Sequence, residues 1–312
     1  MPPPDPSIVR IDGPWRHLQV HANGIRFHVV EAAPGADDAP DRPLVILMHG
    51  FASFWWSWRH QLRGLKGARV VAVDLRGYGD SDKPPTGYDG WTLAGDTAGL
   101  VRALGHHEAT LIGHADGGLV CWATAVLHPR AVRAIALVSS PHPVALRASA
   151  LTNGPQRAAL LPRMLGYQVP YWPERRLTRH DGAEVQRLVR SRGGANWIDS
   201  QDFSESMPHL RQAIQIPSAA HSTLEYQRWA VRSQLRSEGW RFMRSMKRPT
   251  TVPVLHLRGE ADPYVLEDPV RRSETQVPHG RFITVAGAGH FAHEEVPDVV
   301  NAELSGFLAQ LR

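Results

Sequence analysis

A single cysteine, Cys121, rules out an intrachain disulfide, and nothing in the chain requires an oxidising compartment. It lies in an apolar stretch, where a free thiol reads as a small buried hydrophobe. Lysine is almost missing. Lys66, Lys83 and Lys247 are the only three, and arginine carries the rest of a modest net charge of +5. No Lys/Arg block marks a nucleic-acid or membrane patch, and the arginines at 173–179 and 241–248 read as solvated helix faces. No run of about 18 apolar residues occurs, and the proline-rich start MPPPDPSIVR has no apolar signal region. A cytoplasmic protein without a membrane span is therefore expected. The 17 histidines include no HExxH, and no paired-cysteine spacing exists, which argues against a metal site. GAGH at 287–290 ends a strand pattern with no phosphate-loop lysine, so neither nucleotide binding nor any other cofactor is expected.

What is present is a regular alternation. Residues 15–32 read as a hairpin around Asn23-Gly24. Short continuous apolar runs at 43–50, 68–77, 108–114 and 132–140 suit strands buried on both faces, and 252–262 and 281–290 read as two more strand-to-loop units. Helical patterns at 91–105 and 117–128 separate them. The closing helix puts Val300, Leu304, Phe307, Leu308 and Leu311 on one face. Strand–helix alternation predicts an α/β fold with a mostly parallel, doubly wound sheet. Residues 143–248 differ: rich in Arg, Pro, Trp and Tyr, with helical patterns and no buried-strand run. The expected division is a flexible tail (1–14), a core (15–142 and 249–312) and an inserted helical cap or lid (143–248).

In such a sheet functional groups collect at the carboxyl ends of strands. The third of these ends reads TLIGHADGGLVCWATAVL (110–127), the pattern of a strand turning sharply into a helix with an exposed apex. Gly113 and Gly117 supply the small residues that flank an apex at position 115. That apex is Ala115, which has no nucleophilic atom. Centring the turn on Asp116 instead would put His114 where a small residue is needed.

The other strand ends carry HGFASFWWSWRHQL, DLRGYGDSDKPP, SSPHP, RGEAD and GAGHFAHEE. Together with the elbow, these resemble the α/β-hydrolase fold, most closely its epoxide-hydrolase branch and next the haloalkane dehalogenases. The likeness runs from about residue 17 to the end, and GYQVPYWPE (166–174) resembles the lid around the first ring-opening tyrosine. The resemblance implies that Ala115 stands at the nucleophile position, an aspartate in epoxide hydrolases. His290 would activate water, oriented by Asp262. The backbone N–H groups of Phe51 and Asp116 would form an oxyanion hole, and Tyr167 would protonate the epoxide oxygen. Trp55, with Trp56 and Trp58, would wall the mouth of a pocket for a small apolar ligand.

The sequence departs from that pattern at four places. Ala115 replaces the nucleophile, Ala52 a proline and Asp116 a tryptophan. The second lid tyrosine falls at Gln227, with Tyr226 one residue early and so turned about 100° around a helix. Three readings stay open: an epoxide-hydrolase-like protein with little or no two-step hydrolysis, a lidded small-molecule-binding pseudoenzyme, and a serine-esterase-type enzyme that has lost its serine. Oligomeric state is not readable.

Overall fold

The computed structural model describes residues 3–33, 42–277 and 279–311. Eight strands form one sheet: β1 (Trp15–Ala22), β2 (Ile25–Ala32), β3 (Leu44–Met48), β4 (Arg69–Val73), β5 (Ala109–His114), β6 (Val132–Val138), β7 (Val254–Gly259) and β8 (Arg281–Val285). Their order is β1-β2-β4-β3-β5-β6-β7-β8. β1 pairs antiparallel with β2, and β2 antiparallel with β4; every other pairing is parallel.

Side chains alternate across a strand, and the core divides accordingly. Val45 and Leu47 join Ile112, Ala134 and Leu255 on one face. Leu44, Ile46 and Met48 join Leu111, Ile135 and Leu137 on the other. Both β3 and β5 are buried along their whole length, as their continuous apolar runs predict.

Helices cover both faces. α1 (Arg59–Gly64) comes first, then α2 (Gly90–Ala103), whose N-cap Asp89 accepts from the backbone N–H of Trp91 and Thr92, and α3 (Asp116–Leu127). Between β6 and β7 the chain passes through α4 (Pro143–Thr152), α5 (Gly154–Gly166), α6 (Trp172–Arg190), α7 (Ala195–Ile198), α8 (Gln201–Ile214), α9 (Ala219–Arg232) and α10 (Ser237–Ser245). The backbone of α6 leaves helical geometry from Arg179 to Gly182. α11 (Glu267–Glu274), α12 (Ala292–Glu295) and α13 (Pro297–Gln310) complete the chain. α13 buries Val300, Leu304 and Phe307, while Leu308 and Leu311 are only partly covered. Arg59 joins the core to the helical segment, pairing with buried Glu294 and with Asp202.

Within residues 1–14, expected as a flexible tail, the segment around Pro6–Val9 makes contacts with the core. Asp5 caps a short helical turn at Pro6–Val9, Val9 is buried, and the Val9 carbonyl accepts from Trp55 Nε1 at 2.7 Å. Trp55 is thereby a core residue, packed edge-on against Trp15 and Phe54. Trp55→Ala is expected to lower unfolding free energy by about 3–5 kcal/mol. Denaturant melts of the two proteins check this, and an unchanged midpoint would contradict the packing role.

Burial also sets a pH dependence. His49, His114, His142, His256 and His293 are buried, and burial pushes each below the ordinary imidazole value, His142 and His256 to about 4. Below about pH 6.5 the unfolded chain takes up protons that these folded imidazoles refuse. Their stabilisation is therefore full above about 6.5 and is lost as pH falls towards 4. His142 and His256 should each remove about 2 kcal/mol between pH 7.5 and pH 5. A melting temperature that holds steady across that range would overturn this account.

Candidate active site

The turn after β5 is built by steric necessity. Ala115 adopts φ 47° and ψ −112°, a strained combination for a residue with a side chain. A Cβ on Gly113 would stand 2.5 Å from the Gly117 carbonyl carbon, and a Cβ on Gly117 would collide with the Met48 carbonyl oxygen. Strand and helix can approach this closely only with glycine at both places. The strained turn sends the Ala115 methyl into a cavity of about 30 Å³. That is room for about two water molecules.

Phe51, His114, Asp116, Tyr167, Arg192, Gln227, Tyr264, His290 and Phe291 complete the lining. His290 Nδ1 lies 2.9 Å from Asp262 Oδ2, and both residues are buried. A carboxylate can only accept, so Nδ1 carries a proton and points Nε2 towards the cavity. His290 Nε2 has no hydrogen-bond partner, and neither does the Tyr167 hydroxyl. The other oxygen of Asp262, Oδ1, accepts from the backbone N–H of Tyr264 (2.8 Å) and Val265 (2.9 Å). Burial alone would raise the Asp262 carboxyl. The His290 charge and hydrogen bond, helped by those two amides, carry it below the usual carboxylate value. His114 Nε2 donates to the His290 carbonyl at 3.0 Å and so holds the loop rather than lying free.

The remaining expected residues divide. The backbone N–H groups of Phe51 and Asp116, the latter at the first turn of α3, donate to no acceptor among the described residues. Tyr167 stacks on Phe51 with ring centroids 5.1 Å apart, and burial pushes its hydroxyl well up. Gln227 Nε2 donates to Asp116 Oδ2 at 2.5 Å, so two positions that depart separately from the resemblance make one contact. Burial raises the Asp116 carboxyl, against the opposing pull of Gln227, Arg192 and His290. Tyr226 points elsewhere: its hydroxyl donates to the Arg76 carbonyl at 2.8 Å, and it does not line the cavity. Trp55 does not line it either. Phe51, Tyr167, Tyr264 and Phe291 supply the aromatic wall expected from the tryptophans.

Arg192, Tyr264 and Phe291 carry no motif signal in the sequence. Arg192 arrives because the chain after α6 is fastened beside the catalytic-type histidine. The His290 N–H donates to the Arg192 carbonyl at 2.9 Å. Glu295 Oε2 accepts from the backbone N–H of both Gly194 (2.9 Å) and Gly289 (2.5 Å). One half-buried carboxylate thus clamps the helical segment to the loop that carries His290.

A family model for the alpha/beta hydrolase fold matches residues 43–297. Epoxide hydrolase 4 of Mus musculus is 29% identical over 313 residues, covering 98% of this chain and 81% of that protein. AB hydrolase superfamily protein YfhM of Bacillus subtilis is 31% identical over 297 residues, covering 93% of this chain and 96% of that protein. Among solved structures, an epoxide hydrolase of Bacillus megaterium in complex with an inhibitor superposes with a TM-score of 0.77. It is 23% identical and covers 94% of this chain and 100% of that one, a likeness of fold.

Proposed function

Because the chain belongs to the alpha/beta hydrolase fold family and has epoxide-hydrolase-like homologues, we propose that its cavity is an epoxide-hydrolase-like active site in which Ala115 holds the nucleophile position. The observation that carries this reading is the His290–Asp262 pair, with Nε2 unpartnered, in a cavity that also receives the Ala115 methyl from a strained strand–helix turn. Helices α4–α10 serve as the lid and contribute Tyr167, Arg192 and Gln227.

The chemistry follows from what each group can hold. A carboxylate at position 115 would attack an epoxide carbon, the carbon–oxygen bond would break, and the Tyr167 hydroxyl would give its proton to the departing oxygen. His290 Nε2 would then take a proton from water as that water attacks the ester carbonyl; on collapse the ester carbon–oxygen bond would break, restoring the carboxylate, and the two protons of that water would pass to the departing diol oxygen and the Tyr167 phenolate. The N–H groups of Phe51 and Asp116 would receive the charge that develops on the carbonyl oxygen. With alanine at 115 the first bond cannot form. The chain as it stands binds a small electrophile without completing the two-step reaction.

Asp116 does not take over the role, since Gln227 holds one of its oxygens and burial favours its neutral form. A serine-esterase ancestry is the second reading, favoured by the presence of a single lid tyrosine, Tyr167, at the cavity. The test is diol formation from glycidol and styrene oxide, with nitrophenyl acetate beside them. Turnover indistinguishable from buffer is expected; turnover above about 1 s⁻¹, an ordinary level for working enzymes, would sink the proposal.

A further inference from the structure

The cavity holds a cation that neither the elbow nor the His290–Asp262 pair requires. Arg192 is 7% exposed, and its Nε is buried without a hydrogen-bond partner. Its guanidinium carbon lies 3.8 Å from the centroid of the Tyr264 ring, so the planar group is stacked and fixed in orientation. Among the described residues no carboxylate oxygen comes within 4.0 Å of it, whereas arginines elsewhere in the chain, such as Arg59, Arg76 and Arg228, are paired. Arg163 on α5, half-buried, has no ion pair among the described residues either. Repulsion from Arg192 adds to burial in lowering its pKa. The one acid lining the cavity, Asp116, is bonded to Gln227 instead. A buried guanidinium without a counterion carries a desolvation penalty that evolution commonly offsets with a partner. Here the guanidinium borders the cavity.

We infer that Arg192 is a binding site for the carboxylate of a small ligand, so that the preferred substrate class is a short epoxy-acid or similar carboxylate rather than a neutral apolar molecule. This rests on the active-site reading above and narrows its ligand. Two features point to a carboxylate ligand of this site. The planar fork of Arg192 matches two carboxylate oxygens. Unpartnered Tyr167 Oη and His290 Nε2 line the same cavity, within reach of the rest of such a ligand. The bond from His290 N–H to the Arg192 carbonyl fixes the distance between the anchor and the reacting groups.

The test uses the unaltered protein and two near-isosteric probes, glycidate and its neutral amide, glycidamide, with binding read by calorimetry. Glycidate should bind at least about tenfold more tightly, the usual worth of a hydrogen-bonded charge. Arg192→Gln should reduce that preference to within about twofold, while Arg192→Lys, which keeps the charge but not the fork, should retain part of it. If Arg192→Gln does not fold, Arg192→Lys carries the test alone, and a preference unchanged from that of the unaltered protein would count against the anchor. Equal affinity for the two probes, a preference that survives Arg192→Gln, or no binding of either probe overturns the inference. None of these outcomes decides the active-site reading, which is judged separately by diol formation from neutral glycidol in an Ala115→Asp variant.

Discussion

Replacing Ala115 by aspartate is expected to raise diol formation from glycidol by at least about 10³-fold over the unaltered protein. Removing the nucleophile of a comparable relay costs about 10⁶ in kcat, while binding and backbone donors alone leave a residual acceleration of about 10³–10⁴ over water. The rest of the apparatus is in place to receive the carboxylate. The turn at φ 47° projects whatever side chain residue 115 bears into the cavity. His290 Nε2 and the Tyr167 hydroxyl are both free there. Ala115→Ser run in parallel separates the ancestries. If nitrophenol release with a burst appears in the serine variant while the aspartate variant stays silent on epoxides, the site descends from an esterase. If both stay silent while folded, the relay is a relic.

The second large effect concerns the two halves of the reaction. In the Ala115→Asp background, His290→Gln should leave ester formation within about tenfold while steady-state turnover falls by about 10³-fold or more, since only the second half uses the imidazole as a base. Asp262→Asn should act in the same direction. The carboxylate fixes Nδ1 as the protonated nitrogen, and an amide can invite the wrong tautomer, a change worth about 10⁴ in a comparable triad. Rapid-quench kinetics resolve the halves. A single turnover that is slowed as much as the steady state would show that His290 acts before the ester and not after it.

The alpha/beta hydrolase fold was legible because its parts are local. Buried parallel strands write themselves as continuous apolar runs, and β3 and β5 are such runs. The elbow was legible for a steric reason, since Gly113 admits the close approach of α3 to β5 and Gly117 that of α3 to the end of β3. His290 and Asp262 could be paired on paper because the fold brings the ends of β7 and β8 together.

What escaped the sequence depends on contacts between distant segments. Trp55 sits among aromatic neighbours in a tryptophan-rich motif, but the acceptor for its indole N–H is Val9, in residues that composition alone assigned to a flexible tail. Gln227 and Asp116 are 111 residues apart in sequence, and only the packing of α9 over α3 makes them one hydrogen bond. Arg192 is an arginine in an arginine-rich stretch until Glu295 and the His290 amide fasten its loop beside the cavity. Tyr226 and Gln227 were both expected at the pocket, yet one step along a helix divides them: Gln227 lines the cavity and Tyr226 turns to the Arg76 carbonyl.

The most direct measurement is mass spectrometry of the Ala115→Asp, His290→Gln double variant after incubation with glycidol, followed by peptide mapping. The account predicts a stable increase equal to the mass of one glycidol, mapped to residue 115 and absent from the protein carrying Ala115. An adduct mapped to Asp116, or no adduct on a folded double variant, would contradict the claim that position 115 is the apex of an otherwise assembled epoxide-opening site.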